Sequence, residues 1–244
     1  MVYSYMKYLG SKRRIVDEIL PVMLQSMQPG MSFVDCFCGG CSVVQHVPQV
    51  YRRIANDNNR YLVAMWERLT TTNWQPPTHI PKSLYDDVRK TWHMDDRRYD
   101  DATVGWVGFM ASRNGRFYDG GYSGHSCKGR DYIAENIRNI TKQIDDLRGV
   151  EWQSGCYDKV CFPEGSLIYY DPPYKGTTAY STSKNFDHDA FYDWCRQMKR
   201  DGHLVFISEY NMPGDFQCVW QKTVTNSMNT TQTYRPTERL WSLW

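Results

Sequence analysis

What this sequence lacks narrows it first. Its 244 residues hold no run near the ~18 apolar residues of a membrane span. The N-terminal Met1-Val2-Tyr3-Ser4-Tyr5-Met6-Lys7 lacks the apolar core of a secretory signal. No sign of charge dominates: 29 Lys and Arg face 27 Asp and Glu, a net of +2, so any surface for nucleic acid has to be local. There is no internal repeat and no low-complexity segment. The dinucleotide fingerprint G-x-G-x-x-G is missing, which disfavours a nicotinamide- or flavin-linked oxidoreductase. Eight cysteines are present, but Cys36-x-Cys38-x2-Cys41 has no second Cys/His pair at zinc spacing, so no metal is expected. Free thiols in a reducing, cytoplasmic compartment are the expectation, with no membrane contact.

The most informative stretch is Tyr169-Tyr170-Asp171-Pro172-Pro173-Tyr174. It follows Ser166-Leu167-Ile168, which reads as a strand. That strand must end here, because neither proline can donate to a ladder, and each restricts the residue before it. An acid and an aromatic are thus held at a strand's C-terminal end, where open α/β sheets bind ligands. Asp171 can accept an N–H from an amino group and the Pro172 carbonyl can accept a second. Tyr174 offers a ring face for stacking. Together they suit a planar heterocycle with an exocyclic amine. The plainer alternative is a Pro-Pro turn with a solvated acid.

Two earlier stretches point to a second ligand. Ser32-Phe33-Val34-Asp35-Cys36-Phe37 reads as a buried strand. It runs into Cys38-Gly39-Gly40-Cys41-Ser42 and an expected helix from Val43-Val44. Strand, glycine turn, helix is the layout of a nucleotide-binding crossover. Asp57, eighteen residues after Gly39, ends a second short strand where a ribose hydroxyl pair could be held. A ligand with ribose but no phosphate fits, and S-adenosylmethionine is such a ligand. Upstream, Ser11 reads as the N-cap of a helix carrying Ile15, Ile19, Val22 and Met23. Lys12 would then lie in its first turn, where the helix dipole disfavours a cation; it is either there for a ligand or part of a basic surface turn.

Tyr8-Leu9-Gly10-Ser11-Lys12, Phe33–Ser42, Asn56-Asp57-Asn58-Asn59 and Asp171-Pro172-Pro173-Tyr174, in that order, resemble the Dam-type (D12 class) DNA adenine-N6 methyltransferases. The stretches 185–191, 206–210 and 237–241 are also similar to that family. The likeness covers most of the chain outside residues 70–130. It implies an α/β fold: a Rossmann-like S-adenosylmethionine-dependent methyltransferase sheet with helices on both faces. Residues 1–69 and 151–244 would form the catalytic domain and 70–150 an inserted target-recognition region. It further implies that Tyr8, Lys12, Phe37, Gly39, Asp57 and Asp171 hold S-adenosylmethionine, and that Asp171, Pro172, Pro173 and Tyr174 are catalytic. Double-stranded DNA is the implied partner of a monomer or weak dimer in a bacterial or phage-infected cell; a cognate restriction nuclease is left open. The family's glycine loop reads F-x-G-x-G-S. Cys41 stands at its final glycine, which predicts a loop that sits differently.

Residues 70–130 break the α/β rhythm. A polar, proline-containing link at 70–77 precedes a short helix pattern at Leu84, Val88 and Trp92. From Gly105 to Gly129 the chain is rich in glycine and aromatics, and between 113 and 130 four Lys and Arg face one acid. A basic, aromatic loop or hairpin is expected, with Arg113, Arg116, Phe117, Tyr118, Lys128 and Arg130 contacting DNA by charge and stacking. The alternative is a solvated loop that packs locally. Asp131 reads as the N-cap of a core helix with Ile133, Ile137, Ile140, Ile144 and Leu147, ending at Gly149. Residues 175–186 read as a polar, mobile loop. A helix through Phe191, Trp194, Cys195 and Met198 follows, then a strand at 202–208 and closing strands at 218–224 and 239–244. His188 and His203 are expected to be structural. Open alternatives are transfer to cytosine N4 or RNA adenine, and a non-catalytic DNA-binding module of the same fold.

Overall fold

A computed structural model describes residues 5–124, 129–176, 186–224 and 236–243. Among the described residues the centre is one seven-stranded sheet: β1 (Ser32–Asp35), β2 (Arg52–Asp57), β3 (Val150–Ser154), β4 (Leu167–Tyr170), β5 (Leu204–Ser208), β6 (Gln217–Thr223) and β7 (Thr237–Ser242). Their order across the sheet is β3-β2-β1-β4-β5-β7-β6. The first five run parallel, and β7 lies antiparallel between β5 and β6. The chain moves outward from β1 to β3, then returns to place β4 on the other side of β1. The crevice between the C-terminal ends of β1 and β4 is therefore the topological switch point.

Both faces of the central strands are covered, so β1 and β4 are buried at every position. Period-2 alternation sorts their side chains. Phe33, Leu167, Tyr169 and Phe206 pack with Val16, Ile19 and Met23 of the N-terminal helix α1 (Val16–Leu24) and with Ile15 just before it. Val34, Ile168, Val205 and Ile207 meet Phe191, Cys195 and Met198 of α6 (His188–Arg200) on the other face. α6 begins where Asp187 caps the Asp189 and Ala190 amides.

The remaining helices are α2 (Arg60–Thr71), α3 (Lys82–His93), α4 (Asp101–Ala111) and α5 (Tyr132–Gln143). α5 starts at the expected Asp131 cap, which accepts from Ala134 N–H at 2.9 Å. It gives way to turns after Gln143, short of the expected end. There the buried Arg53 side chain donates to the Asp146 and Arg148 carbonyls at 2.7 and 2.5 Å. α4 corrects part of the loop reading. Residues 101–111 form a helix despite two glycines, because nearly every position is buried. At Gly105 a Cβ would come 2.1 Å from the Tyr61 carbonyl, so the glycine sets how closely α4 approaches α2. The helices of residues 70–150 share one core with the sheet: Trp106, Val107, Phe109, Ile133 and Ile140 cluster with Ala55, Leu62 and Trp66.

Two further expectations are corrected. The helix after the glycine turn is absent; a single 3-10 turn at Val44–His46 links it to β2. α1, which precedes β1, covers the neighbouring sheet surface instead. Ser11 caps nothing. α1 begins at Val16 without a side-chain cap, and the Ser11 hydroxyl is buried without a partner. The segment 113–122 is a loop, one of the two forms expected, closed by the antiparallel bridge Ser112 to Tyr122. Gly115 in this loop has φ +64, and a Cβ there would lie 1.8 Å from the Lys7 carbonyl. Gly115→Ala should therefore cost about 2 kcal/mol or more, through backbone strain and overpacking. Urea unfolding checks this; an unchanged midpoint would show that the loop and residues 5–9 are not locked together.

Candidate active site

β4 ends at Tyr170, and the two prolines turn the chain so that Asp171 faces the switch point. Its Oδ1 lies 2.7 Å from Lys12 Nζ, an ion pair with side chains only 17% and 7% exposed. Lys12 Nζ also donates to the Gly10 carbonyl at 3.1 Å and stands 4.9 Å from the centre of the Tyr174 ring. Its backbone N–H donates to Ser42 Oγ, immediately after the glycine turn. The apparent conflict of a cation in a first helical turn thus dissolves: α1 starts four residues later, and Lys12 belongs to the tetrapeptide's surroundings.

The Tyr174 hydroxyl donates to Glu238 Oε2 of β7 at 2.8 Å, and its ring meets Tyr210 edge-on at 4.7 Å. Glu209, at the end of β5, is buried and accepts from the Lys175 and Tyr210 amides at 2.9 and 2.6 Å. It thereby anchors the chain leaving the tetrapeptide. Burial pushes the Glu209 carboxyl up to about 7, against those two amide bonds. Burial likewise raises Asp171 to about 6, with Lys12 opposing the rise.

On the β1 side, Asp57 ties the glycine turn down. Its Oδ2 accepts from Gly39 N–H at 3.1 Å and its Oδ1 from Asn59 N–H at 2.9 Å. Tyr8 lies across the turn: a Cβ at Gly39 would come 2.6 Å from its ring. Cys41 has φ +58, a left-handed backbone. The chain keeps that conformation at a cost of about 1–2 kcal/mol, with the side chain fully buried beside Cys38. Burial pushes the Cys36 and Cys41 thiols up, and the hydrogen bond between Cys41 and Cys38 does the same for Cys38.

Phe37 projects into an aromatic group with Tyr157, Phe186 and Phe191, centroids 5.9 to 6.1 Å away. Tyr157 follows β3, whose end is held to β2 by Gly155 N–H donating to the Asp57 carbonyl. Asp35, at the end of β1, is 2% exposed and its Oδ1 has no partner. Burial, then the charges of Asp171 and Asp57, push it up to about 8.

The fold thus brings Tyr8, Lys12, Phe37, Gly39, Asp57 and Asp171–Tyr174 around one crevice. The sequence reading missed Asp35, Tyr157, Glu209 and Glu238. The signal for three of them was their place at or just after a strand's C-terminal end; Glu238 sits near the start of the antiparallel strand. Buried carboxyls with raised values make stability fall with pH. Between about pH 4 and 8 the folded chain holds protons on Asp35 and Glu209 that the unfolded chain has released, so the slope is negative. The expected melting temperature is higher at pH 5 than at pH 8, and Asp35→Asn should flatten that difference.

The expected DNA-contacting group does not hold together. Tyr118 is 1% exposed and packs with Tyr85 and Trp92. Phe117 stacks on Tyr61 and meets Trp92 and Phe109. Burial of the Tyr118 ring outweighs display to a partner, while Phe117 is partly buried. Arg113 is exposed. Arg116 is partly buried with Nε unpartnered. Arg130 is exposed but held by Glu135 at 2.7 and 2.8 Å. Lys128 lies outside the described residues.

The five-strand parallel sheet, extended by an antiparallel strand between β5 and β6, thus carries a glycine turn and an acid at its switch point. The model of the D12 class N6 adenine-specific DNA methyltransferase family matches residues 8–103. That span includes the Lys12 and glycine-turn motifs and stops short of the tetrapeptide. No curated protein matches the chain. Among solved structures, a candidate methylase from Haemophilus influenzae is 10% identical, with a TM-score of 0.38 over 96% of this chain and 99% of that one. The rRNA methyltransferase aviRa from Streptomyces viridochromogenes is 8% identical, with a TM-score of 0.40 over 94% and 84%. The candidate methyltransferase SMU.472, complexed with SAH, is 14% identical with a TM-score of 0.38; this chain spans 52% of its length. Among the described residues no helix is long and apolar enough to cross a membrane.

Proposed function

We propose that this chain transfers a methyl group from S-adenosylmethionine to the N6 amino group of adenine in double-stranded DNA. The observation that carries the reading is the placement of Asp171 and Pro172 at the switch point, opposite a glycine turn anchored by Asp57. The crevice has the chemistry for the methyl donor. Asp35 Oδ1 is a buried oxygen without a partner, suited to the donor's ammonium group. Asp57 keeps unused lone pairs for ribose hydroxyls, and Phe37 with Tyr157 offers ring faces for the adenine moiety. When bound, S-adenosylmethionine supplies an electrophilic methyl on a sulfonium.

The residues of the chain do the rest. An adenine inside a duplex cannot present its amino group to this crevice, so the target base has to leave the stack. Tyr174, steadied by Glu238 and Tyr210, takes the base on its ring. Asp171 and the Pro172 carbonyl accept the two amino N–H bonds, which draws the nitrogen lone pair out of ring conjugation and aims it. Much of the rate then comes from position. The methylated nitrogen is cationic and sheds one N–H proton, which Asp171 is placed to take. The exposed Arg113 and the segment around it remain our proposed phosphate contact, without the stacking role for Phe117 and Tyr118.

Calorimetry with S-adenosylhomocysteine tests the cofactor half. At pH 7, binding is expected to release a proton as Asp35 ionises beside the ammonium, seen as an enthalpy that varies with the buffer's ionisation heat. Asp35→Asn should abolish the release and Asp57→Ala should weaken binding. Absence of binding to the wild-type protein would remove the methyltransferase reading and leave the non-catalytic one.

A further inference from the structure

We propose that Lys12 is a positioning residue for the reaction: its ammonium occupies the amino-group subsite and holds Asp171 as a carboxylate until a substrate amine takes its place. This rests on the methyl-transfer reading above. The geometry is that of a stand-in. An amino nitrogen bound to Asp171 and carried by a base stacked on Tyr174 would sit within hydrogen-bond distance of the carboxylate and close over the ring. Lys12 Nζ does both, at 2.7 Å from Asp171 Oδ1 and 4.9 Å from the Tyr174 centroid.

The setting explains why a stand-in is needed. The groups facing Asp171 are otherwise acidic or phenolic: Glu238 on β7, Glu209 at the end of β5, Asp35 at the end of β1, and Tyr169 and Tyr174 on either side of it in the chain. Among the described residues that face it, Lys12 is the cation. Without it, burial and the Glu238 carboxylate would favour a protonated Asp171, which can accept an amino N–H only poorly. The segment that carries Lys12 is held firmly enough to aim it. Gln143 of α5 accepts from Met6 N–H and donates to the Gly40 carbonyl, and Asn136 accepts from Lys7 N–H at 3.1 Å. When the substrate amine displaces the ammonium, Asp171 loses its cation and becomes a stronger base. It is then better able to accept the proton that the methylated amine must shed.

The test follows the Asp171 carboxyl by 13C NMR across pH, without DNA or cofactor, in the wild-type protein, Lys12→Met and Lys12→Arg. Lys12→Met is expected to raise the titration midpoint by about one to three pH units, and Lys12→Arg to keep it near the wild-type value. The low-pH limb of the transfer rate should move with it, with Lys12→Met recovering activity at higher pH. An unchanged midpoint in Lys12→Met would overturn the proposal. Should that variant fail to fold, Lys12→Gln is read in the same way, and an unchanged Asp171 midpoint in it would overturn the proposal equally. A shifted midpoint in a protein that methylates no DNA at any pH would support Lys12's hold on Asp171 while removing the DNA reading.

Discussion

Asp171→Asn is expected to lower methyl transfer by about 10²–10³-fold, while duplex binding stays nearly unchanged. The magnitude is that of removing one preorganised electrostatic group from a buried site. Asn keeps one oxygen for the amino N–H but loses the charge that stabilises the cationic amine, and it cannot take the proton that amine sheds. The Pro172 carbonyl alone cannot orient the nitrogen. Asp171→Ala should be worse in a second way. It leaves the Lys12 ammonium buried without its partner, and breaking a buried pair costs about 3–5 kcal/mol. Single-turnover rates should fall in both; the urea midpoint should also fall in both, because each leaves the Lys12 charge uncompensated, and further in Ala, which loses the hydrogen bond to Lys12 as well. Turnover near wild type in Asp171→Asn would take the carboxylate out of the reaction.

Trp66→Ala is expected to remove about 3–5 kcal/mol of stability, the loss typical of emptying a large core site. Trp66 on α2 is fully buried and stacks on Trp152 of β3, centroids 6.3 Å apart and rings within 5° of parallel. Its Nε1 donates to the Gly39 carbonyl at 3.2 Å, so the same side chain braces the core and the glycine turn. Trp66→Phe keeps most of the ring and loses the hydrogen bond, a change of about 1 kcal/mol for the bond itself. Its informative readout is cofactor affinity, which should weaken more than stability does. Denaturant midpoints and calorimetry report both quantities. A Trp66→Ala loss below about 1 kcal/mol would mean that the core shared by α2, α4, α5 and β3 is not a cooperative unit.

The parts of this molecule legible in the sequence were those with strong local signals. Asp131 and the isoleucine stripe gave α5, Phe191 to Met198 gave α6, and the double proline fixed where β4 stops. α4 was hidden because burial on all sides erases the periodicity that marks a surface helix, and Gly105 and Gly108 read as loop. β3 was hidden because Val150-Glu151-Trp152-Gln153-Ser154 is a short edge strand with only two apolar residues.

The site was legible where one residue type has one use. Asp171, Asp57 and Gly39 meet at one crevice, as the motif order implies. Misplacement came where a side chain has two physical outlets. Phe117 and Tyr118 lie among basic residues, yet large rings gain more from burial against Trp92, Tyr85 and Phe109 than from exposure. Lys12 looked like a first-turn cation because Ser11 resembled a cap. Only the three-dimensional pairing with Asp171, 159 positions away in the chain, shows what neutralises it.

The most direct test of the central claim uses labelled S-adenosylmethionine, unmodified genomic DNA and digestion of the product to nucleosides. The account predicts label in N6-methyladenine, rising with pH through about 6 as Asp171 ionises. Label in N4-methylcytosine would contradict the choice of base, and a protein that binds the cofactor yet labels no DNA nucleoside would contradict DNA as the substrate.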